Sequence, residues 1–153
     1  MLRMSKLTDY ATLVLAQLST FDGELSSAHQ LAIDTHLAQP TVSKLLKALV
    51  RAGLVVSERG AQGGYALARP PSEISAAQII DALEGPVAIT TCSSERGLCD
   101  FESVCRVGGA WQRINAGIRQ ALMEVSLTDL QHHAHPLPRP NLREALIPPS
   151  VFQ

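Results

Sequence analysis

The sequence predicts a mainly α-helical fold: a winged helix-turn-helix with a two-stranded wing, then a cysteine loop and a long C-terminal dimerisation helix. Three observations predict it. Apolar residues recur at three- and four-residue steps through several separate stretches. A glycine-rich hairpin follows the third of these directly. Cys92, Cys99 and Cys105 then crowd into fourteen residues ahead of the last long apolar stripe.

The first helix is expected over 7–19, where Leu7, Ala11, Val14, Leu15 and Leu18 line one face, with Ser5 or Thr8 as its cap. A second helix fits 27–35. Ser27 and Gln30 stand at capping-box spacing, so the hydroxyl can accept from the third amide while the carboxamide reaches back. A turn at 36–39 leads to Pro40, whose missing N–H costs nothing at the start of a helix. The third helix, 40–52, turns Val42, Leu45, Leu46, Leu49 and Val50 inward. It leaves Thr41, Ser43, Lys44, Lys47 and Arg51 outside, and Gly53 ends it. Two short helices joined by a tight turn, the second bearing hydroxyls and lysines, form a helix-turn-helix pattern.

Strands at 54–59 and 65–69 flank a flexible tip at 60–64, which makes the hairpin a wing. Arg59 stands where a wing cation reaches phosphates or a narrow minor groove; a plain structural hairpin is the other reading. Ser75 and Gln78 repeat the capping-box spacing before a helix ending near Gly85, with Ala76, Ile79, Ile80 and Leu83 apolar. The long helix, 109–125, carries Trp111, Ile114, Ile118, Leu122 and Val125 in one stripe. That stripe lies far from the N-terminal core, so a second copy of the same helix is its simplest cover. A last short turn begins at Ser126, and beyond His132 five prolines predict a largely disordered tail. The division expected is 1–70 for DNA binding, 71–130 for the cysteine loop and dimerisation helices, and 131–153 for the Pro-rich tail. His132, His133 and His135 fit a solvated tail better than a metal site.

The 153 residues carry a net charge of −1, unevenly spread. Between Pro40 and Arg69, Lys44, Lys47, Arg51, Arg59 and Arg69 face Glu58 alone, a local +4 that leaves −5 for the rest. A basic segment on an otherwise acidic chain is the footprint of a phosphate-binding face. No apolar run reaches the roughly 18 residues a bilayer span needs. The N-terminal segment reads as a helix interrupted by Asp9 and Gln17, not as a signal peptide, so the cytoplasm is the expected location. No nucleophile elbow, phosphate loop, zinc-protease helix or paired acid–base motif is present, which argues against an enzyme.

An odd cysteine count in a cytoplasmic chain argues against a disulfide framework. Gaps of six and five residues are wide for a zinc knuckle. They suit a polynuclear iron–sulfur cluster, with one coordination position left for another ligand. Three free or redox-active thiols remain the alternative, with only Arg96 and Arg106 adjacent to depress their pKa values.

The chain resembles the winged-helix regulators that include IscR and NsrR. The matching stretches are MSKLTDYA (4–11), GLVVSERG (53–60), GGYAL (63–67), IIDALE (79–84) and the three-cysteine loop, within a resemblance covering about residues 4–130. Within that family it is most similar to regulators of the SUF cluster-assembly system. The resemblance implies a homodimer on a palindromic double-stranded operator, with one cluster per subunit ([2Fe–2S] favoured, [4Fe–4S] the alternative) setting operator affinity. Cys92, Cys99 and Cys105 match the cysteine ligands and Arg59 the wing arginine. Gln39, Thr41, Ser43, Lys44 and Lys47 lie at or beside the recognition positions. Two departures stand out: Gly108 occupies the place of a ligand histidine, and the first cysteine gap is one residue longer. In NsrR-like members an aspartate from the other subunit completes the site. Asp9 matches it and is the first candidate for the fourth ligand, though a first-turn acid also suits the helix dipole; His36 is the second candidate. The implied function is a transcription regulator, expected to act as a repressor, that senses iron–sulfur status. Its alternatives are a metal-free thiol switch and a nitric-oxide-sensing repressor.

Overall fold

The computed structural model describes residues 4–93 and 105–132, excepting the side chain of Cys92. Six α-helices and one antiparallel hairpin follow in the order α1 (Lys6–Ser19), α2 (Ala28–Thr35), α3 (Gln39–Arg51), β1 (Val55–Glu58), β2 (Gly64–Leu67), α4 (Ala76–Glu84), α5 (Gly108–Glu124) and α6 (Leu127–Gln131). The expected helix-turn-helix, wing and long helix are all there, with boundaries within a residue or two and shorter wing strands than expected.

Local chemistry explains the helix starts. Ser5, not Thr8, caps α1, its hydroxyl accepting from the Thr8 amide. Ser75 and Gln78 close a full capping box on α4. At α2 the box is only half made. Ser27 accepts from the Gln30 amide at 3.1 Å, but the Gln30 carboxamide turns along the helix to Asp34 at 2.7 Å. Asp34 also accepts from Gln17 of α1, so that carboxylate joins two helices and competes for the glutamine. A second full box, Ser126 with Asp129, starts α6.

One core unites these elements. Ala11, Val14, Leu15 and Leu18 of α1 meet Val42, Leu45, Leu46 and Leu49 of α3, all essentially inaccessible. Leu31 of α2 and Leu54 at the root of β1 complete the N-terminal side. Ile74, Ile79 of α4 and Leu127 of α6 belong to the same cluster. The chain thus leaves the core after α4, runs through α5, and returns. The return is pinned by backbone bonds from Leu127 N–H to the Ile74 carbonyl (2.7 Å) and from Ala76 N–H to the Val125 carbonyl (2.8 Å).

The wing is held the same way. Its register pairs Val55 with Leu67 and Glu58 with Gly64. Ser26, just before α2, adds an isolated bridge to Tyr65 through two backbone bonds of 2.9 and 2.8 Å. A Cβ at Gly64 would stand 2.8 Å from the Ser26 carbonyl oxygen, and one at Gly63 would overlap that of Glu58. Glycine is therefore a steric requirement at both positions.

α1 is also tied to the end of α4. The Glu84 carboxylate accepts from the Thr8 hydroxyl and from the Ser5 backbone N–H at 2.9 Å. These two bonds, the Thr8 hydroxyl first, hold its pKa below the ordinary glutamate value.

Two outcomes follow. Gly64→Ala should destabilise the fold by roughly 1–3 kcal/mol, because the wing must part from Ser26; urea unfolding measures it. A carboxylate with a depressed pKa stabilises above its unfolded value and ceases to do so as pH falls through the folded one. In thermal melts the wild type should therefore exceed Glu84→Gln at neutral pH, and the two should converge in acid.

Candidate nucleic-acid interface and thiol site

The α2–α3 turn is built on His36, which caps α2 in the left-handed region at φ 54°, ψ 29°. Its N–H donates to the Ile33 carbonyl and that of Leu37 to Ala32, both at 3.2 Å. The backbone role leaves the His36 ring exposed. α3 then starts at Gln39 with Pro40 beside it. Its N-cap, Ala38, offers no side-chain hydrogen bond.

Burial of the α3 leucines decides what faces outward. Lys44, Lys47 and Arg51 follow at three- and four-residue steps on the face away from the core, and all are exposed. Thr41 and Ser43 are half-buried at its flank. Gln39 is exposed at the helix start, where its carboxamide oxygen lies 3.3 Å from Nδ1 of His29 in α2. Arg59 is exposed immediately after β1, at the wing tip. Among the described residues the only ion pair joins Arg119 to Asp81, so none of Lys44, Lys47, Arg51 or Arg59 is neutralised by a carboxylate there. A row of uncompensated cations on a helix beside a cationic wing can contact phosphates without first breaking internal pairs.

The thiol side is described in part. Cys99 lies outside the described residues, as does the Cys92 side chain. The backbone of Cys92 sits in a short 3-10 turn, Thr91–Ser93. Cys105 is half-buried and forms no disulfide among the described residues; it lies just before α5. A Cβ built at Gly108 would lie 3.5 Å from the Cys105 sulfur. A side chain at 108 would therefore stand beside that sulfur, and glycine supplies none. Asp9 is exposed on the first turn of α1, and its carboxylate has no hydrogen-bond partner among the described residues. Among those residues no three His, Cys, Asp or Glu side chains cluster closely enough to hold a metal.

α5 is fixed to what precedes it by polar groups that sequence inspection passed over. Asn115, its single buried residue, accepts from the Ile89 N–H at 3.1 Å and donates to the Val87 carbonyl at 3.0 Å. Arg119 forks onto Asp81 of α4 at 3.1 and 2.8 Å. The apolar stripe divides: Ile118, Leu122 and Val125 are half-buried, Ile118 and Leu122 lining a cavity with Ile80 of α4, whereas Trp111 is 41% and Ile114 38% exposed. The only available signal for Asn115 was its place between Trp111 and Ile118 in the apolar spacing of the helix.

A profile of the Rrf2 family, described as iron-dependent transcriptional regulators, matches residues 4–133. The chain belongs to the Rrf2 family. A Mycobacterium tuberculosis protein described as an HTH-type transcriptional regulator is 32% identical over 139 residues, spanning 88% of this chain and 84% of that one. Among solved structures, CymR, the global cysteine regulator of B. subtilis, superposes with a TM-score of 0.65 at 29% identity, covering 85% of this chain and 96% of CymR. IscR of T. potens gives 0.60 at 29% identity, covering 84% and 85%. The winged-helix fold is thus that of Rrf2 regulators, and the chain is a transcription regulator, not an enzyme. No helix among the described residues is long and apolar enough to cross a membrane.

The electrostatics yield one expectation. Lys47→Ala should weaken binding to any duplex and lower the salt slope of log K by about 1 if that lysine neutralises one phosphate. Titrations across a salt series measure it.

Proposed function

We propose that this Rrf2 regulator is a cytoplasmic homodimer that binds a palindromic operator through α3 and the wing, and that thiol ligation at Cys92, Cys99 and Cys105 sets its affinity. The observation that carries the DNA reading is the unneutralised row Lys44, Lys47 and Arg51 beside Arg59. In this reading Gln39, Thr41 and Ser43 address base edges, while the cations hold phosphates. Two copies must present their α3 helices about 34–36 Å apart to reach successive major grooves. The exposed Trp111, Ile114 and Met123 of α5 supply apolar surface for the pairing.

Three thiolates with one carboxylate are donor types that iron accepts. Cys92, Cys99 and Cys105 would hold an iron–sulfur cluster, [2Fe–2S] in preference to [4Fe–4S]. Bound there, the cluster would supply a redox-sensitive centre. The bare Gly108 beside Cys105 supports a fourth ligand from elsewhere, and the unpartnered Asp9 carboxylate is our first choice, ahead of His36. On the protein side, the link to DNA runs through α5. Cys105 leads straight into that helix; Asn115 ties it to the segment 87–89 and Arg119 seats it on α4, which shares the α3 core. A bias of about 1–3 kcal/mol between two α3 spacings suffices for a switch. Repression of SUF-type cluster-assembly genes is the output we favour. Similarity to a solved cysteine regulator supports a second reading, in which the same thiols act without metal.

Anaerobic reconstitution with absorption and Mössbauer spectra tests the cluster. Wild type should be coloured and hold iron and sulfide. Cys105→Ala should lose the cluster, and Asp9→Ala should change its spectrum while the protein stays folded. A colourless wild type that forms a Cys–Cys link under mild peroxide would instead establish the metal-free switch. Independently, Lys44→Glu should reduce operator affinity at least tenfold in a filter-binding assay; unchanged affinity would remove α3 from the interface.

A further inference from the structure

His29 is one of the exposed side chains for which neither the core nor the thiol site has a use. It occupies the first turn of α2, whose cap is Ser27, and no carboxylate pairs with it among the described residues. Its ring reaches across the helix-turn-helix to the first residue of α3. There Nδ1 stands 3.3 Å from Oε1 of Gln39. Both side chains are open to solvent, and Gln39 begins the helix that the proposed function lays on DNA.

The chemistry of the pair is asymmetric. A carboxamide oxygen only accepts, so this contact is a hydrogen bond in the tautomer whose imidazole donates from Nδ1. With Oε1 on the ring, the N–H2 group is the end of the Gln39 carboxamide with no partner among the described residues. Glutamine normally reads adenine with both ends, its oxygen accepting from N6–H2 while its nitrogen donates to N7. An oxygen already accepting from the ring keeps one free lone pair, but the ring beside it crowds an approaching N6–H2, so the first of these bonds is weakened while the N–H2 donor stays available. Guanine offers only acceptors at that edge, N7 and O6, and both suit a donor.

We infer that His29 is a positioning residue for base readout: it holds Gln39 in a donor-outward orientation and makes it select guanine over adenine at one position of each half-site. The inference rests on α3 being the recognition helix. It assigns to α2 a part in sequence choice that phosphate contacts cannot have, since those carry no sequence information.

Selection from a random duplex DNA library with the full-length chain tests it. Wild type should enrich a site with guanine preferred at one position per half-site, by roughly fivefold or more over adenine, in line with a good side-chain–base pair. His29→Ala frees the glutamine oxygen and should move that preference towards adenine, with the salt dependence of binding unchanged. His29→Asn places an amide N–H2 near the position of Nδ1 and should restore guanine. Gln39→Ala should erase the preference, and His29→Ala should then add nothing to it. If His29→Ala keeps the wild-type preference, or weakens all sites equally, the inference is wrong while the recognition helix stands. If wild type enriches no sequence at all, the assignment of α3 fails and takes the inference with it.

Discussion

α3 must serve two masters on thirteen residues, and the rest of the structure follows from how it does so. Val42, Leu45, Leu46 and Leu49 are driven out of water against α1, each burial being worth about 1.5–3 kcal/mol. That burial fixes the rotation of the helix about its axis. Lys44, Lys47 and Arg51 face solvent as a geometric consequence. The cations need no local device to hold them out, and they cannot turn inward without a far larger loss in the core.

The same core explains how distant parts of the chain can be felt at α3. Ile79 of α4 and Leu127 of α6 press on the cluster that seats α3, and Arg119 grips α4 from outside. Close-packed interiors transmit displacement more readily than they absorb it. A change in the seat of α5 therefore has a material route to the DNA-facing helix, through α4. The wing is set separately, through Ser26 and Tyr65, so helix and wing are referenced to the same α1–α2 frame.

Much of this was legible in the sequence because it is periodic or local. The stripes of α1, α3 and α4 name most of their buried residues. Ser75 with Gln78 predicts its own capping box, and the glycines of the wing announce a constraint that Gly63 and Gly64 satisfy sterically. Local rules failed where a nonlocal partner competed. Gln30 has the right spacing to complete its box, but Asp34, already shared with Gln17, draws it away. The tie of Thr8 to Glu84 spans 76 positions and that of Asn115 to Val87 spans 28, and no periodicity records such pairs. His29 escaped notice for the same reason: only folding brings it to Gln39. The proposed thiol ligands are legible only as a set of residue types. Asp9, one exposed acid on a first turn, carries no local mark that separates a ligand from a helix-dipole partner.

The return of Leu127 to the core has a topological corollary. The bonds linking 74 to 127 and 76 to 125 close a loop at its base; α4 opens that loop against the core, and the part after Gly85 is the excursion. For such a closed loop, doubling the intervening length raises the entropy of closure by only about 0.6 kcal/mol. The excursion can therefore be lengthened, shortened or given different side chains at little expense to the winged helix beneath it. A single DNA-reading platform can in this way carry sensors of differing chemistry, each plugged in between the same two anchor points.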